Sequence, residues 1–317
     1  AHPEKMYFYR FTNRFDMGRY YTETIYEDNR FVVYKNPHSF PLAYGTNSLV
    51  RNIQFGANNA FANQNIILNS MEGHQKNTGN YLEYFKPLAF TGIETENLIE
   101  EKVNKETGEA IYRRADSSKE GIIRYKVIPR SNNTYYFFVP ASLIPKQDYS
   151  VLVNNKWLPN SKTFTQRQIW QLTDMTENQE SVIEFRFRTD TIDMSQAGVY
   201  RAELDQIQEV LEKRKQQGLK VTKFSNTHIE GDVTITDDSD VMMTSIPYSA
   251  GWQVKVDGQS VPTERAWNSF LSFPITKGKH KVEFVFKTRG SLIGALLSIV
   301  SVVSLVVIRK RWKEEQS

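Results

Sequence analysis

A chain of 317 residues with 39% apolar and 13% aromatic side chains is not a disordered chain, and its length suits about two domains. Its formal charge of +4 is too weak to steer it onto nucleic acid, and after Ile308 four cations (Arg309, Lys310, Arg311, Lys313) against two acids (Glu314, Glu315) supply half of that charge. The absence of cysteine excludes disulfides and thiolate metal sites, and it fits exported proteins of bacteria that do not rely on disulfides.

In chain order, residues 1–35 mix aromatic and charged residues, and Arg30 to Lys35 reads as a strand. Two prolines four apart, Pro37 and Pro41, forbid helix and make residues 36–45 extended and turn-punctuated. Residues 56–80, rich in Asn, Gln and Gly, suit a short helix and loops covering the end of a sheet. Residues 104–120 read as a hairpin turn or exposed loop. From Gly121 the pattern is plainly β: Ile122–Val127 and Thr134–Val139 are strand-like, each with a proline at its exit.

An internal repeat follows. Tyr149 to Pro159 aligns without a gap to Trp252 to Pro262, with an aromatic, alternating valines, a turn dipeptide (Asn154-Asn155, Asp257-Gly258), an apolar residue and proline. Asp-Gly is the preferred two-residue hairpin turn. Downstream, Ile183–Arg188 matches Val282–Lys287; upstream, Val139-Pro140 matches Ile246-Pro247. Three matches in one order predict two related β-modules of jelly-roll type. Between them Tyr200, Leu204, Ile207 and Leu211 fall on one helical face, which predicts a structural helix from Ser195 to Gln217, capped by Ser195 and ended by Gly218. Its Glu203, Asp205, Glu209, Glu212, Lys213, Arg214 and Lys215 form a solvated face.

Near the end, Ser291–Ile308 carries no charge, and its four serines can bond back to helix carbonyls. Its roughly 18 residues would rise about 27 Å as a helix, against a ~30 Å hydrocarbon core. The basic cluster and Trp312 that follow match a cytoplasmic flank. The expected architecture is mainly β: an α+β segment over 1–119, jelly-roll-like β-sandwich modules over 120–193 and 219–289 joined by a helix over 194–218, a transmembrane helix over 290–308 and a cytoplasmic tail over 309–317. Residues 1–289 would lie outside the cytoplasm of a bacterial cell. An outward domain that begins at Ala1 with no signal peptide is expected to be a fragment whose missing N-terminus carried the targeting information.

Residues that carry chemistry are few. His2, His38, His74, His228 and His280 are scattered, none within four residues of another, and no metal-ligand, phosphate-loop or nucleophile motif is present. Neither a catalytic residue nor a metal site is assigned. Glu72 and His74 offer an acid and an imidazole two apart, without the second group and cleft that acid–base work needs, so an exposed loop is the better reading. Asp237, Asp238 and Asp240 could chelate calcium, although a charged turn is favoured. Trp157, Trp170, Trp252 and Trp267 sit beside turns, where sugar faces stack on indoles. Trp267, with Arg265 and Asn268 beside it, is the best candidate for sugar contact.

Tyr34-Lys35-Asn36-Pro37 through Pro41-Leu42-Ala43-Tyr44 resembles the N-P-x-A-L-P-L segment of YfhO-like bacterial membrane proteins, with Ser39-Phe40 where Ala-Leu is usual. Met17-Gly18-Arg19-Tyr20-Tyr21 stands where that family has an L-G-x-K-Y strand. Pro247 to Gly258, Gly278 to Phe284 and the terminal span resemble its C-terminal end. The resemblance implies large multi-pass enzymes similar to GT-C glycosyltransferases, which use an acidic residue in an early outer loop and a polyprenyl-phosphate sugar donor, and members linked to adding sugars to lipoteichoic or wall teichoic acid. None of this chain's positions matches that catalytic acid. The implied partners are the missing N-terminal membrane region, the bilayer and a teichoic-type polymer. A polyanionic acceptor would meet Lys35, Arg51 and Arg265 by charge complementarity. The alternative is a tail-anchored, non-catalytic carbohydrate- or wall-binding surface protein. A free-standing hydrolase ranks last, because no acid pair or triad declares itself.

Overall fold

The computed structural model describes residues 5–9, 23–36, 39–56, 59–104, 106–139, 149–158, 168–172, 175–288 and 290–314. These residues are mainly β, in several antiparallel sheets, with three α-helices: α1 (Ala60–Glu72), α2 (Leu204–Gln216) and α3 (Ser291–Glu314). Met17 to Tyr21 and His38 lie outside the described residues. The chain divides into two compact units, one of Ala1–Phe40 with Ile53–Lys213, the other of Pro41–Asn52 with Arg214–Ser317.

In the first unit a five-stranded sheet runs in the order Lys156–Trp157, Tyr149–Val153, Ser181–Phe187, Gly121–Val127, Gly92–Glu96. A four-stranded sheet runs Gln168–Leu172, Thr134–Val139, Gly198–Ala202, Phe85–Leu88. Strict alternation in Gly121–Val127 turns Ile123, Tyr125 and Val127 inward. There they join Val151, Ile183 and Phe185 from the same sheet and Phe137, Trp170 and Val199 from the other. Phe137 stacks on Trp170 at 6.2 Å between centroids, and Tyr149 on Phe185 at 5.2 Å. Trp170 is thereby a core residue and not a sugar platform.

Helix α1 begins at Asn59, whose side chain accepts from the N–H groups of Phe61 and Ala62, and ends at Gly73 with φ 76°. It does not merely cover a sheet end. Phe61 stacks on Tyr200 at 4.5 Å and tilts against Phe85 and Tyr136, across the four-stranded sheet. Two buried asparagines complete that contact. Asn65 donates to Phe85 O and accepts from its N–H; Asn69 does the same with Leu82.

The structure corrects the helix predicted from Ser195. Gly198–Ala202 is a strand in which Tyr200 stands opposite Tyr136, and Val199 and Ala202 are buried. Tertiary pairing overrides the helical stripe here, and α2 starts only at Leu204. Ser195 Oγ instead accepts from Ala110 N–H. Arg214, assigned to a solvated face, has only 2% of its side chain exposed.

In the second unit a five-stranded sheet runs Lys220–Phe224, His228–Ile235, Gly278–Phe286, Trp252–Val256, Gln259–Val261. Its four-stranded sheet runs Glu264–Ala266, Phe270–Pro274, Val241–Pro247, Ala43–Thr46. Ile229, Val254, Val282 and Phe284 meet Ala43, Met242, Leu271 and Phe273 in its core. The repeat is visible in the register. Val151 stands opposite Phe185 and Val254 opposite Phe284; Phe185 then faces Ile123, and Phe284 faces Ile229. Both hairpins turn through two left-handed residues, Asn154 (φ 48°) and Asn155 (φ 65°) in one, Asp257 (φ 52°) and Gly258 (φ 81°) in the other, as a type I′ turn requires.

Helix α3 exposes apolar side chains all round, from Ile293 (65% exposed) to Ile308 (54%). Ser298, Ser301 and Ser304 each donate at 2.8 Å to the carbonyl four residues earlier. Among the described residues no helix is long and apolar enough to cross a membrane. The side chains of Ser291 and Leu292 lie outside the described set, so the uncharged run there extends only from 293 to 308 before Arg309.

Candidate functional site

Three of the predicted sugar-contact residues share one hairpin of the second unit, between Glu264–Ala266 and Phe270–Pro274. Its turn forces Trp267 (φ 47°) and Asn268 (φ 59°) into the left-handed region, costly for an indole-bearing residue. Two backbone bonds hold the turn: Trp267 N–H donates to Val50 O at 2.9 Å, and Ser269 N–H to Ala266 O at 3.0 Å. The Trp267 ring, half-buried, meets Phe270 edge-on at 6.4 Å, while Asn268 is exposed. Arg265 lies over the Tyr248 ring at 5.0 Å, a cation–π contact that leaves its donors at the surface.

Arg51 comes to the same hairpin from the 3-10 turn Ser48–Arg51, which Asn47 caps through Leu49 N–H. Its Nε donates to Ser272 Oγ at 3.1 Å and its Nη1 pairs with Glu264 at 3.3 Å, while its Nη2 is buried with no hydrogen-bond partner among the described residues. Lys35 belongs to the first unit, where it pairs with Glu23 at 2.9 Å on an exposed surface. The structure thus gathers Arg51, Arg265, Trp267 and Asn268 into one neighbourhood of the second unit, while Lys35 belongs to the first.

The acidic turn at Asp237–Asp240 is occupied by the chain itself. Arg214 reaches Asp237 Oδ2 at 2.8 Å, Ser239 Oγ at 2.9 Å and Gly45 O at 3.1 Å. Asp240 Oδ1 accepts from Ser48 N–H at 2.7 Å. Burial alone would raise the Asp237 carboxyl, but bonds from Ser239 and Gln217 and the Arg214 charge overcome it and hold it well below the usual carboxylate range. Glu72 closes α1 and pairs with Lys213, and His74 follows the Gly73 cap. Nearby, burial first and the Glu72 and Glu209 charges second push the Tyr84 hydroxyl up to about 12.

Among the described residues one mixed group of side chains converges as metal ligands would: His228, Glu230 and Glu283, with one donor atom from each within 4.8 Å of the others. Sequence reading missed it, because Glu283 lies more than fifty positions from Glu230 and only strand register brings them together.

Compared with protein families, residues 4–298 match the family described as bacterial membrane protein YfhO. This chain belongs to the YfhO family. A YfhO protein of Bacillus subtilis strain 168, itself described as uncharacterised, is 32% identical over 72 residues, covering 23% of this chain and 8% of that relative. The match therefore spans a small part of a much longer YfhO protein. Among solved structures, a β-D-glucuronidase from Dictyoglomus thermophilum aligns over 66% of this chain and 42% of its own, at 10% identity and a TM-score of 0.26. The CBM32 and M60 catalytic domains of Clostridium perfringens ZmpB align over 68% and 38%, at 8% identity and a TM-score of 0.26. Likenesses that slight carry no inference about fold or activity.

Proposed function

We propose that this chain is the extracytoplasmic part and last transmembrane helix of a multi-pass glycosyltransferase, which moves a sugar from a polyprenyl-phosphate donor to a cell-envelope polymer such as lipoteichoic or wall teichoic acid. The observation that carries the membrane placement is α3, whose described apolar side chains are exposed on every side. Water penalises such a surface by roughly 25 cal/mol per Å², and a bilayer accepts it. With Ser291 and Leu292 included, the uncharged segment of 18 residues would rise about 27 Å, enough to cross with its flanks at the interfaces. Arg309, Arg311 and Trp312 then mark the cytoplasmic side, and residues before 290 lie outside. Membership of a bacterial membrane family supports the same setting, and the resemblance to GT-C enzymes supports the chemistry.

On this reading the catalytic acid belongs to membrane segments outside this chain, and the role left here is to present the acceptor. Trp267, Arg265 and Asn268 are the positions proposed to meet the polymer, with Lys35 as a second cation and Arg51 positioning the hairpin. An antibody against residues 1–289 should find a protein several times bulkier than 36.8 kDa in membranes of the source cell. Loss of that protein should strip sugar from the teichoic polymers. A band near 37 kDa, or unchanged polymer sugar, would sink the transferase reading. This chain has no cysteine, so once any cysteines elsewhere in the native protein are replaced, single cysteines at 277 and 316 report topology directly. A membrane-impermeant maleimide should label the first in intact cells and not the second.

A further inference from the structure

The two units treat one row of their five-stranded sheets in opposite ways. In the first, the row across the strands reads Glu94, Arg124, Glu184 and Leu152. Arg124 pairs with Glu184 at 2.5 Å and with Glu96 at 3.0 Å, so each cross-strand neighbour of the carboxylate is a cation or neutral. The repeat carries this row onto Lys223, Glu230, Glu283 and Lys255 in the second unit. There Glu230 stands directly opposite Glu283, a like-charge pair that destabilises a strand ladder.

His228 occupies the position of Ile122. Two residues before Glu230, it points to the same outer face, and its Nε2 comes within 2.9 Å of Glu230 Oε1 and 3.2 Å of Glu283 Oε1. Despite those distances Nε2 makes no aligned hydrogen bond, and it is shielded from solvent. A ring nitrogen and two carboxylate oxygens therefore converge with no proton aligned between them. Lys223 and Lys255 approach the same carboxylates at 3.2 Å and Lys281 at 3.7 Å, from exposed stems that can swing outward.

We propose that His228, Glu230 and Glu283 bind a divalent transition-metal ion, zinc being the best match to one imidazole and two carboxylates. The ion adds positive charge between the two facing glutamates and ties His228–Ile235 to Gly278–Phe286. Three protein ligands leave a coordination position for water or an oxygen of a bound molecule. The lysines compete with the ion for the carboxylates, which gives the site a signature that ordinary sheet packing lacks.

The test is calorimetric titration of the full chain, purified in detergent after chelator treatment, with zinc chloride. One ion per chain is expected. His228→Ala and Glu283→Gln should each weaken binding at least about tenfold, since even groups that only orient metal ligands carry about 10–100-fold. Lys255→Met should tighten binding by about two- to fivefold, the worth of one exposed ion pair. His280→Ala, which removes the imidazole paired with Asp257 at 2.8 Å, should leave it unchanged. No binding by the folded wild-type chain would overturn the proposal, as would equal binding by wild type and both ligand variants.

Discussion

The two units share one register and close it differently. In the first, Thr134–Val139 is flanked by Gln168–Leu172 on one side and Gly198–Ala202 on the other, both from the same stretch of chain. In the second, Val241–Pro247 is flanked by Phe270–Pro274 and, on its other side, by Ala43–Thr46. All four residues of that strand are buried. Arg214 fastens it, bonding Gly45 O while holding Asp237 and Ser239. A repeated sheet can thus be completed by a local strand or by one drawn from far upstream, and the borrowed strand is fastened by the buried guanidinium of Arg214.

If the shared register means shared packing, Phe185→Ala and Phe284→Ala should be equally damaging. Both rings are fully buried, so each loss should cost about 3–5 kcal/mol in denaturant unfolding. A gap of more than about 2 kcal/mol would show that equal pairing hides unequal cores. Arg214→Met should cost about 3 kcal/mol, because breaking a buried ion pair strands its partner groups. It should act on the second unit alone, read by hydrogen exchange of Ala43–Thr46 against Gly198–Ala202.

The same fastening gives an acid signature. The folded Asp237 carboxyl titrates below its unfolded value, so the unfolded chain binds more protons as pH falls beneath about 4. Stability from this group is present above that pH and is lost as pH falls toward the folded value. Asp237→Asn should flatten this part of the pH profile. Gly45→Ala would set a methyl 2.7 Å from Ile235 Cδ1 and 3.3 Å from Ser239 Cβ, an overpacking worth about 1–3 kcal/mol. The smallest change should come from Asn155→Gly, which copies the second hairpin's turn into the first. Relief of left-handed strain is opposed by added chain entropy, leaving a few tenths of a kcal/mol.

Much of this architecture is legible in residues. A run of β-branched and aromatic residues defines Thr134–Val139, and the turn dipeptides define both hairpins, because the physics deciding them is local. Pairing decided at long range was harder to read. Tyr200 continues a helical stripe with Leu204, Ile207 and Leu211, yet Tyr136 and Phe61 claim it for a strand. Arg214 sits in a run of charges, and nothing in that run marks it as the one buried against Gly45. At the candidate site, Trp267 and Asn268 could be singled out as a turn, but the bond to Val50 could not. The carboxylate pair was not legible: the repeat aligns Glu283 with Glu184, but only strand register places Glu230 opposite Glu283.

The borrowed strand also sets a clock. Tyr44 and Met243 lie 199 positions apart and stand opposite each other in the sheet. At synthesis rates of about 5–20 residues per second, Ala43–Thr46 waits about 10 to 40 s after leaving the ribosome before its partner strand exists. During that interval the first unit can complete its own sheets, while a four-residue segment destined for a core remains without one. A nascent chain halted in this window would carry a sticky, unmatched ribbon upstream of the first unit's core sheets. The second unit is therefore the later of the two to assemble, although one of its strands is made before both core sheets of the first.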